Sequence, residues 1–175
     1  MYNNCFIEGN RIYLRPLQET DATEEYLNWL NDYEVVKYTE SRFYPNSMDS
    51  LRNYLTGLNN DKNMAFAIVE KSSNNHIGNI KLGNINWIHR YADIGLIIGN
   101  KDYWGKGIAP EVLELIVDYA FKRLNLRKLV AGAYIENKGS IRAFEKVGFV
   151  QAYTEKSKYF FEGRYIDSVV LELFS

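Results

Sequence analysis

Tyr103-Trp104-Gly105-Lys106-Gly107-Ile108-Ala109-Pro110-Glu111 sets two glycines, a lysine and a proline where a buried apolar run gives way to a long helical pattern. The first residues of a helix carry N–H groups with no partner inside the helix, and the helix dipole adds positive potential there. A turn of this kind suits an anion, phosphate above all. Gly105 and Gly107 allow positive φ and close main-chain approach. Pro110 fits the first helical turn, where its missing N–H costs nothing, and Lys106 adds a mobile positive charge. An ordinary glycine-containing strand–helix turn would carry the same residues, so this segment alone leaves both readings open. The P-loop pattern G-x-x-x-x-G-K-[ST] is absent. The dinucleotide fingerprint needs a third glycine where Pro110 stands. Glu136 also lies further on than the roughly 20 residues usual for a ribose-binding carboxylate. Both points argue against a nicotinamide or flavin enzyme.

Asp93 is the second chemical candidate. It is the one charged residue in Tyr91-Ala92-Asp93-Ile94-Gly95-Leu96-Ile97-Ile98-Gly99. Apolar burial raises a carboxyl pKa toward the range of a general base. The alternative is a strand-end carboxylate paired with Arg90 or another cation. His76 and His89 fall at strand edges and read as surface residues, although His89 can border an acceptor site as a secondary base. Lys122, Arg123, Arg127 and Lys128 cluster around a helix end and read as a solvated face. Cys5 reads as inert.

These residues need elements to position them. Alternation predicts a strand over Arg11–Arg15 and helical spacing predicts a helix over Glu19–Asn31, capped by Thr20 or Asp21. An aromatic, polar loop follows, Tyr33 to Pro45, and then a helix over Ser47–Leu58 capped by Asn46 or Ser47. Strands are predicted over Met64–Glu70, Ile77–Trp87 and Tyr91–Gly99, the last apolar on both faces and therefore central. Gly107–Leu124 is the strongest helix, with Glu111, Glu114, Asp118 and Lys122 forming one solvent stripe. A strand over Lys128–Tyr134, a helix over Gly139–Lys146 and a strand pair, Phe149–Tyr159 with Arg164–Phe174, close the chain. The order is that of a mixed sheet with helices packed on it.

Composition bounds the function. The 175 residues suit a single domain, 1–175, large enough for a core without staples. With 21 Lys+Arg against 22 Asp+Glu the net charge is −1, which argues against a general nucleic-acid binder. One cysteine excludes an intramolecular disulfide and a multi-cysteine zinc site, and no metal is expected. No apolar run reaches the ~18–20 residues of a membrane span. The opening MYNNCFIEGN lacks a basic segment followed by an apolar core, so a soluble cytoplasmic protein is expected.

Three segments in order carry a family resemblance. Asp102-Tyr103-Trp104-Gly105-Lys106-Gly107 resembles a Q/R-x-x-G-x-G/A pyrophosphate motif, with Asp102 in place of Gln or Arg. The run Glu136-Asn137-Lys138-Gly139-Ser140 through Phe144-Glu145-Lys146-Val147-Gly148-Phe149 resembles N-x-x-S/A…Y-E-K-x-G-F. Phe161-Glu162-Gly163-Arg164-Tyr165-Ile166-Asp167 resembles a closing G-x-Y-x-D hairpin. Together, over Ile12 to Leu173, they resemble the GNAT superfamily of acetyl-CoA-dependent N-acetyltransferases. Within it, the chain resembles the branch that contains the Rim-type ribosomal-protein, spermidine and amino-sugar acetyltransferases. The resemblance implies an α+β (mixed α/β) fold, with a central, mixed but largely antiparallel sheet of about seven strands and four flanking helices.

It also implies roles. Acetyl-CoA is the co-substrate, and an amine attacks its thioester directly. The main chain of Gly105, Lys106, Gly107, Ile108 and Ala109 would hold the diphosphate, and that of Leu96 and Ile97 the pantetheine arm and the oxyanion. Asp93 stands where some members carry a catalytic glutamate. Phe144 replaces the tyrosine that often protonates the leaving thiolate, and a phenyl ring donates no proton. Ser140 is then the candidate acid, with a helix cap as its alternative, Asn137 would bind the pantetheine or sulfur, and Phe144 would pack beside the cofactor.

The acceptor site is expected between the Tyr33 to Pro45 loop and the closing hairpin, with Tyr33, Tyr38, His89 and Tyr159 as contacts. Asp32, Glu34 and Glu40 can attract a cationic amine, yet Phe144 argues against a polyamine, because the spermidine enzymes resembled here use tyrosine there. A small amine such as an amino sugar is the first expectation and an N-terminal peptide amine the second. A non-catalytic acyl-CoA-binding module and a homodimer are also entertained. No nucleic acid or membrane partner is expected.

Overall fold

A computed structural model describes residues 4–175; residues 1–3, part of the segment read for a leader, lie outside the described residues. The strands are β1 (Ile7–Glu8), β2 (Ile12–Pro16), β3 (Met64–Glu70), β4 (His76–Asn86), β5 (Tyr91–Ile98), β6 (Lys128–Tyr134), β7 (Val150–Phe161) and β8 (Arg164–Phe174). The helices are α1 (Glu24–Asn31), α2 (Tyr33–Val36), α3 (Met48–Thr56), α4 (Ile108–Lys122) and α5 (Lys138–Lys146). One sheet runs in the order β1-β2-β3-β4-β5-β6-β8-β7. Among the described residues only the β5–β6 pair is parallel.

Strand alternation builds two cores. In β3, Phe66 and Ile68 face α4 and α5, joining Ile108, Val112, Leu113, Ile116 and Phe144. Ala65, Ala67 and Val69 face the other way, onto Tyr26 and Trp29 of α1 and Leu51 and Leu55 of α3. The sheet is thus covered on both sides, and the two sides of the central strand are kept apart by the sheet itself.

The expected fold class holds, with eight strands and five helices rather than about seven and four. The extra strand is the short edge piece β1, and the extra helix is α2, inside the segment read as a loop and capped by the Asp32 carboxylate, which accepts from the Glu34 amide at 3.0 Å. The helix read over Glu19–Asn31 divides into a 3-10 turn, Glu19–Asp21, and α1. Asp21 does not cap α1, because its carboxylate is held by Arg15 at 2.6 and 2.8 Å and by the Gln18 amide at 2.8 Å; Thr23 caps instead. Gly99 closes β5 against Trp29, where any Cβ would sit 2.1 Å from the indole.

Candidate active site

The glycine turn reaches α4 with φ of +70° at Gly105 and +76° at Gly107, conformations that favour glycine. Gly107 is the α4 N-cap and supplies no side-chain cap. Arg11 organises the turn from β2's side: its guanidinium donates to the carbonyls of Lys106 at 2.7 Å and Gly107 at 2.9 Å. The turn's acceptors are therefore directed at Arg11, which leaves the first amides of α4 as the donors facing outward. Glu111, read as part of the solvent stripe, instead receives the Arg11 amide at 2.7 Å and its Nε at 2.8 Å. Burial alone would raise the Glu111 pKa, but the Arg11 amide and guanidinium outweigh it and hold the carboxyl below its usual range. A carboxylate in the first turn is thereby kept away from an arriving anion. Lys106 is exposed, its ammonium 6.0 Å from the Tyr103 ring centroid.

Beside the turn the sheet splits. β5 and β6 pair only from Tyr91 to Asp93 and from Lys128 to Val130. Past that point β5 continues to Ile98 along β4, and β6 continues to Tyr134 along β8. Gly99 N–H donates to Ile77 O at 2.9 Å, and the β4–β5 register continues unbroken from Ile98 to Asp93. Main-chain groups alternate sides along a strand, so Ile97 directs its amide at β4 and Leu96 directs its amide into the split. The Ile98 carbonyl, also on the split side, accepts from Trp104 Nε1 at 2.8 Å. Gly95 is exposed in the central strand, with open space where a Cβ would stand.

On the α1–α3 face, β4 and β5 floor a cleft of about 450 Å³. Gly95, Leu96, Ile97, Asn79 and Lys81 form its floor, and Leu17, Tyr26, Leu51, Tyr54 and Leu58 contribute to its walls. The split thus joins the turn's side of the sheet to this cleft. Asp93 lies on the same sheet face as Gly95 and Ile97, opposite Gly83. It is half-buried rather than enclosed, and its Oδ2 accepts from Asn84 Nδ2 at 2.7 Å. Arg90, its expected partner, bonds Asn125 instead, at 3.3 Å.

At the start of α5, Asn137 is the cap: its Oδ1 accepts the Ser140 amide at 3.2 Å. Ser140 is half-buried and its hydroxyl takes no part in the capping. Phe144 is buried, with its ring 5.0 Å from Phe149.

The acceptor candidates divide. Tyr159 stacks on Tyr134 at 3.9 Å, and its hydroxyl lies 3.5 Å from where a Gly132 Cβ would be, over the β6 side of the split. Tyr38 stacks on Phe161 in the same aromatic group. Tyr33 is on the rim, its hydroxyl donating to Glu162 Oε1 at 2.8 Å and tying α2 to the closing hairpin. His89 is exposed on the β4–β5 turn, before β5 begins at Tyr91, and does not line the cleft. His76 is not a surface residue: it packs against Tyr26 and Trp29, and Nε2 meets Gly78 O at 2.9 Å and Asn79 Oδ1 at 2.8 Å. Arg11, Asn79, Lys81 and Asn84 were missed in the sequence, since each looks like a solvated strand residue until the sheet is assembled. Among the described residues no helix is long and apolar enough to cross a membrane.

Residues 11–150 match the acetyltransferase (GNAT) domain family. A probable N-acetyltransferase of Bacillus subtilis is 32% identical over 150 residues, covering 82% of each chain. A spermidine N(1)-acetyltransferase of Vibrio cholerae is 30% identical over 159 residues, covering 91% of this chain and 90% of its own. The crystal structure of a Vibrio cholerae spermidine N-acetyltransferase in complex with CoA and spermine is similar at a TM-score of 0.83 and 29% identity, covering 94% of this chain and 95% of that one. The chain belongs to the GNAT acetyltransferase family. It is an N-acetyltransferase with acetyl-CoA as co-substrate.

Proposed function

We propose that this GNAT enzyme acetylates a small primary amine, such as an amino sugar, which attacks directly in a ternary complex. The observation that carries this reading is the β5–β6 split, with the glycine turn on one side and the 450 Å³ cleft on the other. The outward amides of the turn and of Ile108 and Ala109 hold the diphosphate, with Lys106 adding charge. Acetyl-CoA supplies the activated acyl group. Leu96 N–H, aimed into the split, donates to the carbonyl oxygen as negative charge grows there. Asp93, oriented by Asn84, takes the proton of the incoming amine, directly or through one water. Ser140 donates to the departing sulfur, because the Phe144 ring cannot.

The cleft's hydroxyl groups and tyrosines suit a hydroxylated ring. A polyamine is the second reading, favoured by the names of the Vibrio cholerae relatives. Incubation with acetyl-CoA and a panel of amines, followed by free thiol, tests the proposal. Thiol release with amino sugars supports it. Release only with N-terminal peptides would redirect it, and binding of acetyl-CoA without release under any condition would reduce the chain to an acyl-CoA-binding module.

A further inference from the structure

The floor of the cleft carries one charge and one orphaned donor, both on β4. Lys81 stands directly across from Gly95 in the β4–β5 register, beside the open stretch of β5. It is the one charged residue lining the cleft, and no carboxylate lies within ion-pair distance of it among the described residues. Its stem leans over Gly83, with Cε 3.2 Å and Nζ 3.7 Å from where a Cβ on that glycine would be. Two residues back on the same face, Asn79 is 7% exposed. His76 holds its Oδ1 at 2.8 Å, and its Nδ2 is buried with no partner. The His76 contact fixes which end of the amide is which, because Nε2 must carry its proton to donate to Gly78 O. A buried donor left unpaired costs on the order of 1–3 kcal/mol, so a ligand oxygen there is favoured.

We propose that the acceptor amine also carries an anionic group, a phosphate ester or a carboxylate, which Lys81 neutralises while Asn79 Nδ2 donates to another oxygen, further along the same molecule. The two backbone positions lie about 7 Å apart along the strand, and because the Lys81 stem leans toward Gly83, away from Asn79, the two groups are spanned by an extended molecule. The arrangement also selects against polycations. A second positive charge would enter a largely apolar cleft against Lys81, while the carboxylate on this face of β5, Asp93, is taken up by the amine that reacts. The same repulsion favours the neutral, nucleophilic form of the acceptor amine.

The inference rests on the acetyl-transfer reading and deepens it. Its test uses matched pairs of amines with acetyl-CoA and the full chain: glucosamine against glucosamine 6-phosphate, and putrescine against 4-aminobutyrate, with spermidine alongside. At least one anionic member is expected to exceed its uncharged or cationic partner in kcat/KM by about tenfold, the worth of one well-placed charged contact. The phosphate and carboxylate arms distinguish the two sources of charge. Lys81→Glu is expected to invert the preference, and Lys81→Met to abolish it, with KM for acetyl-CoA unchanged. Asn79→Leu, which fills the same volume without a donor, is expected to raise acceptor KM more than it lowers kcat. Spermidine as the best substrate, no preference for either anionic amine, or a preference unmoved by Lys81→Glu would each overturn the inference while acetyl transfer stands. Absence of thiol release with every amine, together with no binding of coenzyme A, would instead remove the underlying reading.

Discussion

Arg11 and Glu111 meet across a hundred residues of chain, through the Arg11 amide at 2.7 Å and its Nε at 2.8 Å. The same guanidinium holds the carbonyls of Lys106 and Gly107. One side chain just ahead of β2 therefore sets the direction of the donors at the start of α4. Arg11→Ala is expected to raise KM for acetyl-CoA about tenfold with kcat nearly constant, the loss of one charge-assisted contact's worth of positioning. Steady-state kinetics at saturating amine check it, and an unchanged KM would separate Arg11 from the turn's function.

Asp93→Asn keeps the shape and the contact with Asn84 but removes the base. Turnover is expected to fall roughly 10²- to 10³-fold, with coenzyme A affinity within about twofold of the parent. Equal turnover at saturating substrates would take Asp93 out of this role.

Asn137 and Ser140 separate a cap from an acid. Asn137→Ala removes the α5 cap and is expected to cost about 1 kcal/mol of stability, seen in denaturant titration. Ser140→Ala leaves that cap in place and is expected to change the pH–rate profile without a comparable loss of stability. A purely structural Ser140 would show the reverse.

His76 gives a pH dependence of known sign. Burial pushes its pKa below the ordinary 6.5, and the contacts with Asn79 and Asp21 offset this only in part. The unfolded chain therefore takes up a proton before the folded one does. The contribution to stability is full above about 6.5 and is lost as pH falls through the window beneath it, at a limiting slope of about 1.4 kcal/mol per pH unit. Asp21 is opposed by its own burial but held low by Arg15 and the Gln18 amide, and its contribution is lost only at lower pH, as the medium passes below the ordinary carboxylate range. Thermal midpoints between pH 7 and 5 are expected to decline less steeply in His76→Gln than in the parent. Parallel curves would contradict the assignment.

The legible parts of the molecule were those written in local pattern. The turn at Gly105–Gly107, the central strand around Asp93 and the helix following Asn137 were readable because periodicity and glycine placement are properties of adjacent residues. Long-range pairing was not readable. Glu111 looked solvated on a helical wheel, and only the approach of β2 supplies Arg11 to it. Lys81 and Asn79 alternate with apolar residues as any half-exposed strand would, and their meaning depends on which face of the sheet is left open. Leu96 and Ile97 were equivalent in sequence, and only the register with β4 distinguishes the amide facing the split from the one facing its neighbour.

The most direct measurement is calorimetric binding of coenzyme A against pantetheine, which lacks the diphosphate, to the parent chain and to Gly107→Ala. The substitution places an alanine at φ +76° and disturbs the donors at the α4 N-terminus, while its Cβ meets only the Arg11 guanidinium at 3.5 Å. The parent is expected to prefer coenzyme A by ~100-fold or more, and the variant to lose most of that preference while binding pantetheine as before. Equal affinity of the parent for the two ligands, or a preference that survives the substitution intact, would contradict the diphosphate site at the glycine turn.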